Sequence, residues 1–174
     1  MKTIEQYIRV IPDFPKPGIQ FRDVTTILQD PDGLHLAVDG ILEMVKDVDF
    51  DIVVGPESRG FIFGVPVAYT AGKGFVPARK KGKLPWKTLS VEYDLEYGKT
   101  EIEIHEDAIK PGQKVVIIDD LLATGGTTEA VIQLIEQSGG EVVKLCFVIE
   151  LKGLNGREKI TNYNVDSLIA YEGI

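Results

Sequence analysis

Lys114-Val115-Val116-Ile117-Ile118 is an apolar run with the look of a buried strand, and it leads directly into two carboxylates, Asp119 and Asp120. Leu121-Leu122-Ala123-Thr124-Gly125-Gly126-Thr127 follows, a Thr-Gly-Gly-Thr turn that opens a helical pattern running to Gln137. Such a turn offers backbone N–H groups, two threonine hydroxyls and a helix N-terminus, which together suit a phosphate. The carboxylates suit sugar hydroxyls or a magnesium ion. No Gly-Lys-Ser/Thr follows, so this is no Walker loop, and the glycine spacing is wrong for a dinucleotide fingerprint. Each feature alone is ordinary. In tandem they point to a functional site rather than to solvated acids beside an ordinary turn. A second chemical signal is basic: Lys73, Arg79, Lys80, Lys81, Lys83 and Lys87 lie in a stretch with no acid between Lys73 and Lys87. On a chain with 19 basic and 27 acidic residues, that local cationic stretch suits a small polyanion, unless it is merely a solvated loop.

The elements that must position these groups read as follows. Lys2 to Val10 is expected to be a short amphipathic helix, ended by Pro12, Pro15, Pro17 and Gly18, with Pro12 to Arg22 extended and irregular. Asp30-Pro31-Asp32 starts a helix whose stripe is Leu34, Ala37, Val38, Ile41, Leu42 and Val45. Asp51 to Gly55 and Phe75 to Ala78 are short buried strands, and Gly60 to Gly72 between them is a helix expected to break near Pro66. Leu89 to Leu95 and Thr100 to Ile104 flank Glu96-Tyr97-Gly98-Lys99 as a hairpin. Val142 to Ile149 and Ser167 to Tyr171 complete the strands. Strands alternating with helices argue for a mainly parallel sheet flanked by helices, an α/β fold, with ligands bound beyond the carboxyl ends of the strands.

Composition narrows the function further. At 174 residues one domain is expected, large enough to bury roughly 70% of its unfolded surface without a disulfide or structural metal. The net charge of -8 disfavours nucleic acid and membrane surfaces as partners. One cysteine, Cys146, allows neither an internal disulfide nor a four-cysteine zinc site, and reads as a small buried hydrophobe. His35 and His105 are too few for a histidine-rich metal site; the first reads as a helix-surface residue, the second as a strand end. Met1 to Gln6 lack the apolar core of a secretion signal, so a cytoplasmic setting is expected.

The thirteen residues Val115 to Thr127 resemble the phosphoribosyl-pyrophosphate (PRPP) signature of the type I phosphoribosyltransferases. Leu121 to Thr127 resembles the branch of that family that uses adenine. So do Pro12 to Asp23, like its base-binding segment, Gly55 to Phe61, like its pyrophosphate loop, and Arg79 to Gly98, like its catalytic loop. The resemblance implies a hood over residues 1–30, a projecting mobile hairpin loop over 79–100, Mg²⁺ carried mainly through PRPP, and a homodimer. It assigns Asp119 and Asp120 to the ribose hydroxyls and Ala123, Thr124, Gly125, Gly126 and Thr127 to the 5′-phosphate. Glu57, Ser58, Arg59 and Gly60 fall to the pyrophosphate, with Arg79, Lys80 and Lys83 from the loop; Tyr97 would contact phosphate or pack on the ribose. Glu57 would also stand near the magnesium, and a cis peptide bond is implied immediately before Arg59. Glu96 is the implied acid–base group near the purine N7. Backbone groups of Gln20 and Arg22 would read the purine edge, while Phe21 either stacks on the base or serves as core. A 6-oxopurine phosphoribosyltransferase and a non-catalytic PRPP-sensing regulator are the alternatives. The adenine-like segment at Phe14 to Asp23 argues against the first. The acidic charge and the lack of a basic helix-turn-helix pattern argue against the second.

Overall fold

A computed structural model describes residues 2–95 and 98–173. Among the described residues the chain begins with a 3₁₀ turn, Ile4–Tyr7, then strands β1 (Arg9–Pro12) and β2 (Gln20–Asp23), paired antiparallel from Arg9 opposite Asp23 to Pro12 opposite Gln20. The helix expected over Lys2 to Val10 is therefore a single turn followed by a strand. Extended Val10 and Ile11 find cross-strand partners in Arg22 and Phe21, and a turn this short has no propagated helix to compete with them. A short helix α1 (Thr25–Leu28) leads to α2 (Pro31–Val45). Asp30 caps α2 by accepting from the Asp32 and Gly33 N–H groups, Pro31 sits in its first turn, and Ala37, Ile41 and Val45 are buried one turn apart.

The main sheet is built from β3 (Ile52–Pro56), β4 (Gly74–Lys80), β5 (Thr88–Leu95), β6 (Gly98–His105), β7 (Lys114–Leu122), β8 (Glu141–Leu151) and β9 (Val165–Tyr171). Their order is β5-β6-β4-β3-β7-β8-β9. The run β4-β3-β7-β8-β9 is parallel, and the β5–β6 hairpin adds antiparallel strands at one edge. Helix α3 (Arg59–Thr70) links β3 to β4, and α4 (Gly126–Gln137) links β7 to β8. Alternation along β7 feeds both faces of the sheet. Val115 and Ile117 join Leu134, Ile135 and Phe147 on the α4 side, whereas Val116 and Ile118 join Phe63, Val67 and Ile41 on the α2 and α3 side.

Helix α3 runs unbroken through Pro66, contrary to the break expected there. Proline removes one helical N–H, and the buried face of Phe63, Val67 and Ala68 holds the helix across that loss. Strand β7 also runs further than its apolar core. It keeps pairing with β8 from Asp119 opposite Phe147 to Leu122 opposite Glu150, so the two acids lie inside the strand rather than after it. On its other side the pairing with β3 stops at Ile117. The chain goes from β3 to β4 on one flank and takes up β7 on the other, and this divergence opens a crevice at the carboxyl ends of the strands.

Candidate active site

The crevice is a cavity of about 490 Å³ lined by Glu57, Ser58, Arg59, Lys80, Tyr93, Ile102, Asp119, Asp120, Leu121, Ala123 and Thr127. Strand β3 delivers Glu57 and Ser58, α3 begins with Arg59, β4 ends in Lys80, and β7 contributes the acids and leads into the turn. The Arg59 guanidinium donates to Asp120, which is itself buried. The Asp120 N–H donates to Asp119 Oδ1 at 2.8 Å. Burial, and then the neighbouring Asp120 charge, push the Asp119 carboxyl well above the usual carboxylate range. Across the cavity Arg79 Nε donates to Glu57 Oε2 at 2.8 Å, and the Glu57 N–H donates to the Ala78 carbonyl.

The turn after β7 is built for close approach. Gly125 has φ +79°, and a Cβ there would lie 2.6 Å from the Gly156 carbonyl oxygen. Gly125 also provides no capping side chain, so the first-turn N–H groups of α4 are left for an anion. At the opposite wall a Cβ on Gly60 would meet the Ile118 carbonyl at 3.0 Å, so the start of α3 packs directly on β7. Among the described residues the non-proline cis peptide is Glu57–Ser58, one residue earlier than the resemblance implied. Arg59 already opens α3 with Ser58 in αR backbone, so the following bond belongs to the trans geometry of the helix.

Two adjacent acids, a cation on one of them and an open helix N-terminus in one crevice suit a phosphorylated sugar. The family model "Phosphoribosyl transferase domain" matches residues 25–173. The chain belongs to the phosphoribosyl transferase family. It is 62% identical over 173 residues to a protein of Lachnoclostridium phytofermentans named adenine phosphoribosyltransferase, covering 99% of each chain. The crystal structure of adenine phosphoribosyltransferase from Thermoanaerobacter pseudethanolicus superposes with a TM-score of 0.93 at 50% identity, over 97% of this chain and 98% of that one. The enzyme of Saccharomyces cerevisiae, crystallised with an imino-altritol bisphosphate and adenine, superposes with a TM-score of 0.89 at 39% identity, covering 95% and 96%.

This phosphoribosyl transferase brings Glu57, Ser58, Arg59, Lys80, Asp119, Asp120, Ala123 and Thr127 to one cavity. Gly60, Thr124, Gly125 and Gly126 stand directly behind or beside it on the same backbone turns. Arg79 is turned to Glu57, and Lys83 lies in the loop beyond β4, its carbonyl accepting from Arg79 at 3.5 Å. Glu96 and Tyr97 lie outside the described residues. Gln20, Phe21 and Arg22 do not line the cavity. Phe21 packs edge-on against Phe14 at 5.2 Å, and Arg22 lies over the Tyr171 ring at 4.2 Å. Asp23, at the end of the same strand, is nearer the site. Hydrogen bonds from Thr25 hold its carboxyl below the usual range, with Arg9 and Arg59 adding weaker attraction.

Sequence reasoning missed Tyr93, Ile102, Leu121 and Gly156. Tyr93 and Ile102 come from the hairpin strands, whose alternation marks them as inward-facing but not as facing a ligand. The basic stretch also reads differently in three dimensions. Lys81 pairs with Glu101 at 2.6 Å, Lys87 with Glu106 at 3.8 Å, Arg79 with Glu57, and Lys73 lies over the Phe50 ring. Its charge is therefore not unopposed: the β6 pairing and the loop after it bring acids from far along the chain.

Proposed function

We propose that this phosphoribosyl transferase makes AMP and pyrophosphate from PRPP and adenine, a purine-salvage reaction. The observation that carries it is the single cavity joining Asp119 and Asp120 to the Ala123–Thr127 turn and to the Ser58–Arg59 start of α3. Three sites are needed, for the ribose, its 5′-phosphate and the leaving pyrophosphate, and these three elements supply donors and acceptors for each. The adenine assignment is supported by the names of relatives at 57–62% identity.

In the reaction the C1′–oxygen bond to pyrophosphate breaks and pyrophosphate leaves as the anion, while adenine held as its N7–H tautomer forms the C1′–N9 bond through the free N9 lone pair and gives its N7 proton to Glu96. Positive charge develops on the sugar as the leaving group departs. Asp120, held by Arg59, and Asp119 accept from the ribose hydroxyls and stabilise that charge; a cationic sugar beside Asp119 favours its ionised form. Arg59 is turned to Asp120 and must share or leave that carboxylate to reach the pyrophosphate. Lys80 and Lys83 add charge there, Glu96 serves acid–base chemistry near N7, and Tyr97 packs beside the ribose or a phosphate. Glu57 and Asp120 are each engaged by an arginine, so the donor set fits a magnesium ion that arrives on the oxygens of PRPP rather than a preformed protein cage. When bound, that ion neutralises charge on the pyrophosphate.

We also propose a homodimer. Ile62, Val65 and Tyr69 share one face of α3 and are 40%, 47% and 86% exposed, an apolar stripe of the kind that subunits cover. No described helix is long and apolar enough to cross a membrane, and we propose a cytoplasmic setting.

A base-competition assay tests the function. With PRPP and Mg²⁺, adenine is expected to yield AMP far faster than hypoxanthine or xanthine yields its nucleotide. Preferred turnover of a 6-oxopurine would overturn the base assignment. PRPP binding with no turnover of any base would point to a regulator. In the same assay Glu96→Gln is expected to lower kcat by ~10²–10⁴-fold beyond any change in KM for PRPP. Normal turnover by Glu96→Gln, with only Glu96→Ala impaired, would leave Glu96 a loop-positioning role.

A further inference from the structure

Behind the phosphate turn lies a second piece of backbone that no part of the proposed chemistry uses. After β8 the chain makes a 3₁₀ turn, Gly156–Ile160, entered through Asn155 in left-handed backbone at φ 54°. A Cβ built on Gly156 would lie 2.2 Å from the Ala123 carbonyl oxygen and 3.0 Å from Leu122 Cδ1. One on Gly125 would lie 2.6 Å from the Gly156 oxygen. The two backbones therefore touch with no side chain between them, and the position of the Ala123–Thr127 turn depends on where Gly156 is held.

What holds Gly156 is the residue after it. Arg157 makes a two-pronged contact with Glu150 on β8, Nε to Oε1 at 2.6 Å and Nη2 to Oε2 at 2.7 Å, and its Nη1 donates to the Val165 carbonyl at 3.0 Å. Ser167 on β9 donates to Glu150 Oε2 at 2.9 Å. Glu150 is 3% exposed, and both of its oxygens are occupied. The Arg157 and Ser167 hydrogen bonds keep its carboxyl below the usual range. A fork-shaped pair of this kind fixes direction as well as distance. It anchors the 3₁₀ turn to two strands of the sheet.

We infer that Arg157 and Glu150 are positioning residues for the 5′-phosphate site, acting through the Gly156 backbone on the Ala123–Thr127 turn. This rests on the reading of that turn as the 5′-phosphate site. Neither residue lines the cavity, so their effect must be indirect and confined to the part of PRPP that the turn holds. Lysine at position 157 would keep the charge but lose the planar fork.

The test uses ribose 5-phosphate and pyrophosphate as competing fragments, one carrying the phosphate in question and the other lacking it. In Arg157→Lys and Glu150→Gln, KM for PRPP and the inhibition constant of ribose 5-phosphate are expected to rise about tenfold, while the constants for adenine and pyrophosphate move less than about twofold. Ser167→Ala, a smaller cut into the same network, is expected to shift the ribose 5-phosphate constant by about twofold. Val45→Ala in α2, remote from the turn, supplies a comparable loss of Tm as a control. If the Arg157 and Glu150 variants lose Tm as Val45→Ala does, yet keep the wild-type ribose 5-phosphate constant, the inference is overturned. Thr124→Ala with Thr127→Ala separates the two levels of argument. Weakened ribose 5-phosphate binding in that variant alone defeats only the role of Arg157 and Glu150. Unchanged binding in it as well defeats the phosphate reading of the turn.

Discussion

The acid end of β7 and the basic stretch from Lys73 to Lys87 carry opposite charge to the same crevice, but they are built in opposite ways. Asp119 and Asp120 sit side by side on a desolvated part of the strand, with Arg59 bonded to Asp120 and acting on Asp119 only through its charge. Most of the basic side chains are exposed, and three of the six, Arg79, Lys81 and Lys87, are answered one by one by Glu57, Glu101 and Glu106. Charge that is buried and only partly compensated carries strong interaction energy, because little water screens it. Charge that is exposed and paired carries little. Lys80, which lines the cavity, and Lys83 differ from their neighbours, having no ion-pair partner among the described residues. The difference teaches that a run of like charge is not itself a field; its tertiary partners decide what is left for a ligand.

The contrast is broken most directly at β7. Asp119→Asn with Asp120→Asn is expected to lower kcat/KM by about 10³-fold or more while circular dichroism shows the fold retained, and each single variant to cost more than half of that on a logarithmic scale, since the two act as a unit and their losses do not add. Near wild-type turnover would remove the ribose role. Within the basic stretch, Lys80→Ala with Lys83→Ala is expected to raise KM for PRPP by about tenfold, less so at high salt, with KM for adenine unchanged. Lys81→Ala with Lys87→Ala, stripping the paired lysines, is expected to stay within about twofold for both substrates. Equal effects from the two pairs would mean that net charge, not pairing, governs the loop.

The smallest effect is on stability and runs with pH. Folding raises the pKa of Asp119, so the folded state holds that proton more tightly than the unfolded chain. Its contribution is complete below the ordinary value of 3.8 and is lost as pH rises from there through the raised value. Asp119→Asn, a mimic of the protonated acid that can still accept from the Asp120 N–H, should match wild type in Tm near pH 4 and exceed it by about 2–4 °C at pH 8. A Tm difference independent of pH would show that the carboxyl is not desolvated as its place implies.

Much of the scaffold was legible because its signals are local. Asp30-Pro31 set the start of α2, the β-branched runs set β3 and β7, and Gly125-Gly126 opened α4, each through backbone chemistry within a few residues. Where reading failed, a distant partner decided. Residues 9–12 became a strand because residues 20–23 pair with them, and β7 carries its acids inside the sheet because β8 is long enough to pair beyond them.

The sequence by itself determined the α/β class, the strand–acid–turn–helix order around Asp119 and Thr127, and the resemblance that implied the substrates. These follow from residue type and spacing along one stretch of chain. Only the tertiary structure decided that Arg59 answers Asp120 from 61 residues away, and that Arg79 answers Glu57 from 22. It alone decided that Tyr93 and Ile102 wall the cavity, and that Gly156 stands under the Ala123–Thr127 turn. Contacts of this kind depend on which strands become neighbours, and that order is set by packing both faces of the sheet at once. No local pattern encodes it.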